Sequence, residues 1–138
     1  MRLYVFGNGN LSFDGFCEHY VPALEKALSD GADFIVCEFR GADTLTLEWL
    51  KTRTGRVEVL HVGERPRYLP DRYRTKVGGW TVTGGFADDD ERDAAALERC
   101  THVLAHDFNS KPERLSGTAR ILERAAELGR ERVGTALP

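Results

Sequence analysis

A chain of 138 residues, 41% hydrophobic and 30% charged, has the size of one domain around one core, and none of its apolar runs is long enough for a membrane span. A formal net charge of -3 excludes a global electrostatic pull toward nucleic acid. The three cysteines, Cys17, Cys37 and Cys100, are odd in number and widely spaced among apolar neighbours, which fits reduced core thiols rather than a disulfide frame or a zinc site.

Leu3 to Phe6 reads as a strand that runs at once into Gly7-Asn8-Gly9-Asn10, so no secretory signal is expected and the domain, residues 1–138, is expected in the cytoplasm. A helical stripe follows in Phe16, Tyr20, Leu24, Ala27 and Leu28. Pro22 either kinks that helix or marks the first turn of a shorter one. Phe34 to Cys37 is a buried strand, Asp43 to about Thr52 a helix, and Val57 to Val62 the third strand. Gly63 to Phe86 carries Pro66, Pro70, Gly78, Gly79, Gly84 and Gly85 and reads as a long loop, with a short strand at Trp80 to Thr83 at most. Its arginines suggest a lid that orders over a bound anion, and Tyr73 and Trp80 could stack on a base or simply anchor the loop.

Asp88 to Glu91 suit a helix start, because negative charge complements the dipole there. Thr101 to Ala105 is the fourth strand. Ser110 and Ser116 both signal the next helix start, and Ser116 is preferred because the earlier start would place Gly117 mid-helix at about 1 kcal/mol. Arg132 to Ala136 makes a fifth strand. The alternation predicts an α/β fold: three Rossmann-like layers with a five-stranded, mainly parallel sheet in the order 3-2-1-4-5. Its ligand crevice should lie at the carboxyl edge where the winding reverses.

Candidate binding residues cluster after the strands. Gly7-Asn8-Gly9-Asn10 sits where a dinucleotide fingerprint would, but Ser12 holds the place of the third glycine, so no cofactor is expected; the loop either brings backbone to a ligand or is a plain tight turn. Ser116, Gly117 and Thr118 open a helix and could hold an anion on backbone N–H groups. His106 ends its strand at the favoured edge. His19, His61 and His102 form no ligand motif, so no metal is expected.

Arg40-Gly41-Ala42-Asp43 with Trp49, then Arg92-Asp93, the strand Thr101 to Ala105 and Gly117-Thr118-Ala119, taken in order, resemble the YspA-type branch of the SLOG superfamily. These are Rossmann-like proteins related to the DNA-processing protein DprA, the LOG phosphoribohydrolases and the nucleoside deoxyribosyltransferases. The resemblance implies a nucleotide-like small molecule as partner, with phosphate or ribose at the Gly117-Thr118 turn and Arg92 near the site. Within it, Asp43 could accept from ribose hydroxyls or act as a helix cap, and Arg40 could pair with phosphate or be a surface neighbour of that cap. Ile121 stands where the deoxyribosyltransferases carry a nucleophilic glutamate, and the LOG glycine signature is missing. Glu38 and Asp107 remain as carboxylates for glycosidic-bond cleavage. The leading expectation is a sensor or carrier of a phosphorylated small molecule. A nucleotide N-glycosidase is the first alternative, and a DprA-like nucleic-acid-binding module the second. Nucleic acid is not the expected partner, and homo-oligomerisation is left open.

Overall fold

The computed structural model describes residues 1–135. In chain order they form β1 (Arg2–Val5), α1 (Phe13–His19), α2 (Val21–Ser29), β2 (Asp33–Cys37), α3 (Ala42–Leu50), β3 (Val57–Val62), β4 (Thr81–Phe86), α4 (Asp89–Arg99), β5 (His102–Leu104), α5 (Gly117–Glu127) and β6 (Glu131–Arg132). Every neighbouring pair is parallel, in the order β4-β3-β2-β1-β5-β6.

The sheet therefore has six strands instead of five, and its order differs from the expected one because residues 81–86 pair along the outer side of β3. Gly84 and Gly85 disguise this strand as loop. A Cβ at Gly84 would lie 2.0 Å from the His61 ring, and Gly85 has φ +90, beside a register shift between Leu60 and Val62. The glycines thus serve an irregular pairing that gives the backbone of β3 a partner on its open side. At the other edge, β6 covers only Glu131–Arg132, and Ala136 of the expected strand lies outside the described residues.

Side chains alternate between the two faces of the sheet. Leu3, Val5, Phe34, Val36, Val57 and Val59 pack under α1, α2 and α3, while Tyr4, Phe6, Ile35, Cys37, Leu60 and Val103 pack under α4 and α5. The expected first helix breaks at Tyr20, which ends α1 and starts α2. Pro22 then falls in the first turn of α2, where its missing N–H is no loss.

Residues 63–80 cross between parallel strands without an α-helix. They cover the α3 face instead, with Tyr68, Leu69, Val77 and Trp80 against the core, and the buried Trp80 indole N–H donates to the Thr54 carbonyl at 2.8 Å. Trp80 is therefore an anchor, whereas Tyr73 is 72% exposed. All three cysteines are free. Cys37 and Cys100 are buried as expected, but Cys17 is exposed on α1. Among the described residues no helix is long and apolar enough to cross a membrane.

Candidate functional site

The connections leaving β1 and β5 depart to opposite faces of the sheet, so their carboxyl ends flank a gap that no crossover covers. A crevice of about 310 Å³ opens there. One wall is the Gly7-Asn8-Gly9 loop with Ser116, Gly117 and Thr118. The other is Phe39, Asp43 and the first turn of α4 with Asp89, Asp90, Arg92 and Asp93, over a floor of Tyr4, Phe6 and Ile121.

Asn8, only 4% exposed, ties the first wall together. Its Nδ2 donates to Asp107 Oδ1 at 3.0 Å and to Thr118 Oγ1 at 3.2 Å, and its Oδ1 accepts from the Phe108 N–H at 2.8 Å. Asp107 also accepts from the Ser116 hydroxyl at 2.7 Å and from the Asn109 N–H at 3.2 Å. Partial burial opposes the Asp107 charge, but hydrogen bonds from Ser110, Ser116, Asn8 and Asn109 outweigh it and hold the carboxyl well below its usual range. A carboxylate so committed is a weak general base, which argues against the cleavage role considered for it.

Ser116 caps α5 by accepting from the Ala119 N–H at 3.0 Å. The first N–H groups of α5 lack intrahelical partners and carry the positive end of its dipole. A Cβ added at Gly117 would meet nothing within 4 Å, so the backbone there is open to an incoming group. Thr118 is different. Its side chain is buried and accepts from Asn8, so its hydroxyl builds the wall rather than waiting for a ligand.

Beneath the acidic wall lies a buried charge network. Arg92, 4% exposed, bonds Glu38 at 2.6 Å, Asp93 at 2.9 Å and Asp89 at 3.1 Å, and Glu38 also accepts from the Val62 N–H at 3.2 Å. Burial opposes the Arg92 charge, and neighbouring groups including Asp93 and Glu38 more than offset it. Glu38, 1% exposed, is thus a structural ion-pair partner, and its place as a cleavage carboxylate is hard to reconcile with this geometry. Asp43 is 6% exposed, with Oδ2 accepting from the Phe39 N–H at 3.1 Å, and burial raises its pKa to about 7. It is the second residue of α3, not its cap; Gly41 holds the N-cap position.

The remaining expected residues divide. Gly41 has φ +73, and a Cβ there would lie 2.4 Å from the Asn8 carbonyl oxygen and 2.5 Å from the Gly9 carbonyl carbon. With the fully buried Ala42, whose N–H donates to that Asn8 oxygen at 3.2 Å, it holds the loops after β1 and β2 together. Gly41→Ala is expected to lower stability by about 1–3 kcal/mol, measured by urea unfolding. Unchanged stability would mean that this loop contact carries no energy. Arg40 lies outside the crevice, exposed, its guanidinium 5.5 Å from the Phe39 ring centre. Asn10 accepts from Asn109 Nδ2 at 2.8 Å, also outside. His106 lines a separate cavity on the α1–α2 side, and no residue of 63–86 lines the crevice itself, although Arg67 bonds Asp89 of its acidic wall at 2.7 Å.

Sequence reasoning missed the acidic wall, since Asp89 and Asp90 passed as capping residues although the cap is made by Asp88, accepting from the Glu91 N–H at 2.8 Å, and by Glu91, accepting from the Ala87 N–H at 2.7 Å. It also missed Phe13, Phe39 and Phe108, exposed by 67%, 37% and 55%. The signal for Phe39 and Phe108 was a large apolar side chain in a polar segment just past a strand, whereas Phe13 opens α1. Among the described residues no cluster of His, Cys, Asp or Glu could hold a metal ion.

The architecture, a parallel sheet between helical layers with its crevice at the winding reversal, defines a Rossmann-like α/β protein. No family model and no curated protein sequence matches the chain. Its fold is similar to that of DNA processing protein A from Helicobacter pylori, solved to explain its single-stranded DNA binding mode, with a TM-score of 0.62 and 10% identity. The match covers 91% of this chain and spans 62% of that one. The likeness supports the DprA-like fold and does not reach the YspA-type branch. It also corrects the expectation that discounted nucleic acid as a partner, because the solved protein sharing this fold binds single-stranded DNA.

Proposed function

We propose that this chain binds single-stranded nucleic acid across the carboxyl edge of its sheet, seating one phosphate at the start of α5 and stacking bases on exposed phenylalanines. The observation that carries this reading is that Phe39, after β2, lines the crevice and Phe108, after β5, lines the hollow beside it, both exposed. Exposed aromatic side chains are costly to keep in water and serve as stacking platforms for bases of any sequence. The fold shared with a single-stranded-DNA-binding protein supports the same reading. Exposed Arg40, Lys111 and Arg114 belong to the loops after β2 and β5 and have no salt-bridge partner among the described residues. They supply local attraction that the net charge of -3 does not. Asp90 repels phosphate, whereas Asp89 is paired with Arg67 and Arg92, which leaves the α5 side of the crevice for the phosphate and the acidic wall for hydroxyl or amino groups. The short motifs Arg40 to Asp43 and Gly117 to Ala119 are the support for a place in the YspA-type branch.

The test is fluorescence anisotropy with labelled single-stranded oligonucleotides over a salt series. With about three unpaired cations in play, the logarithmic salt slope should be shallow, about -2. Gly117→Val, whose side chain points into open space, should weaken binding by about 1.5–3 kcal/mol without unfolding the protein. Binding of free nucleoside monophosphates with none of oligonucleotides would overturn this reading in favour of a small-molecule carrier.

A further inference from the structure

A cavity of about 740 Å³, larger than the crevice, lies on the opposite face between α1–α2 and the strand ends of β5 and β6. Its floor is apolar, with Pro22, Ala23, Ala27 and Val133, and aromatic rings crowd its upper end. The His19 and Phe108 ring centres are 4.9 Å apart, those of His106 and Phe108 are 6.4 Å apart with planes 19° from parallel, and Tyr20 meets His106 edge-on at 5.2 Å. His106 Nε2 is buried without a hydrogen-bond partner among the described residues, which is costly for a polar atom. Between crevice and cavity runs a shallow hollow of about 260 Å³ that shares Asn8 and Asn109 with the crevice and His19 and Phe108 with the cavity. The three adjoin one another around the first turn of α1, with those residues as common walls.

We infer that these adjoining hollows are the track of a single strand, and that the aromatic end of the large cavity is a second subsite, taking the base of a nucleotide adjoining the one seated in the crevice. The inference rests on the nucleic-acid reading above and deepens it. Phe108, 55% exposed, offers a face for stacking. Burial, then Arg132 and His19, lower the His106 pKa, so the imidazole that lines the cavity beside Phe108 stays neutral at pH 7 and does not repel a base amino group. The cavity's volume lies within the range of small-ligand sites, ample for one base.

The experiment uses a single-stranded oligodeoxynucleotide and a set of the same length with one abasic position moved along it. Phe108→Ala and His106→Leu should each weaken the intact oligonucleotide about tenfold. Against the one abasic oligonucleotide that lacks the inserted base, neither variant should differ from the parent protein. Phe108 is exposed, so its variant keeps the fold even if His106→Leu does not. Equal losses on intact and abasic strands, or no losses, overturn the second subsite while Gly117→Val sensitivity upholds the crevice. No oligonucleotide binding by the parent protein overturns both.

Discussion

Arg92→Leu is expected to destabilise the protein by about 3–5 kcal/mol, because it leaves a buried carboxylate without its counter-charge. Glu38 is 1% exposed and takes its 2.6 Å contact from Arg92; its other cation, Arg67, is 3.7 Å away and 44% exposed. Removing the guanidinium also strips Asp93, which is buried enough that desolvation raises its pKa. The double variant Glu38→Leu/Arg92→Leu should recover the Glu38 share of the loss, since that buried carboxylate is gone, while Asp93 stays without its partner. Chemical denaturation of the three variants measures this cycle. A loss for Arg92→Leu below about 1 kcal/mol, the level of an exposed salt bridge, would show that water reaches the network.

Asp43→Asn should raise stability at pH 8 and leave it nearly unchanged at pH 4. The Asp43 pKa stands at about 7 in the folded protein against 3.8 for the free group, chiefly through desolvation, so between these values the folded state holds a proton that the unfolded state has released. Stability contributed by the protonated form is full below pH 3.8 and is lost as pH rises through 7, by about 4 kcal/mol in all. The substituted amide would keep an acceptor for the Phe39 N–H and cannot ionise. Asp107 and Asp33, both held low, act with the opposite sign; their contributions are present above pH 4 and lost only below it. The difference between parent and variant unfolding free energies across pH 4 to 8 isolates Asp43. A difference flat across that range would mean that the folded Asp43 ionises as freely as in water.

The crevice position was legible because strand ends can be found from short apolar runs and reversals of winding follow from their alternation. Gly117 emerged by the same route, as a small residue at a capped helix start. Arg40 and His106 sit after the correct strands and still lie outside the crevice, because a loop residue can point to either side of the edge it follows. Asp107 and Glu38 read as free carboxylates for a related reason. Only the fold brings Asn8 and Ser116 to Asp107, or Arg92 to Glu38 across 54 residues of chain.

By itself the sequence determined the class of fold, five of the six strands, the Ser116 cap and the loops that reach the carboxyl edge. Those features rest on local physics: side-chain alternation, helical periodicity and the chemistry of caps act within a few residues of chain. Tertiary structure alone decided that residues 81–86 close the sheet beyond β3, that the crossover before them packs on α3, and that exposed Phe39 and Phe108 line adjoining hollows. Each of those outcomes depends on partners far apart in the chain. Gly84, which looks like loop, sits in β4 where any larger residue would meet the His61 ring.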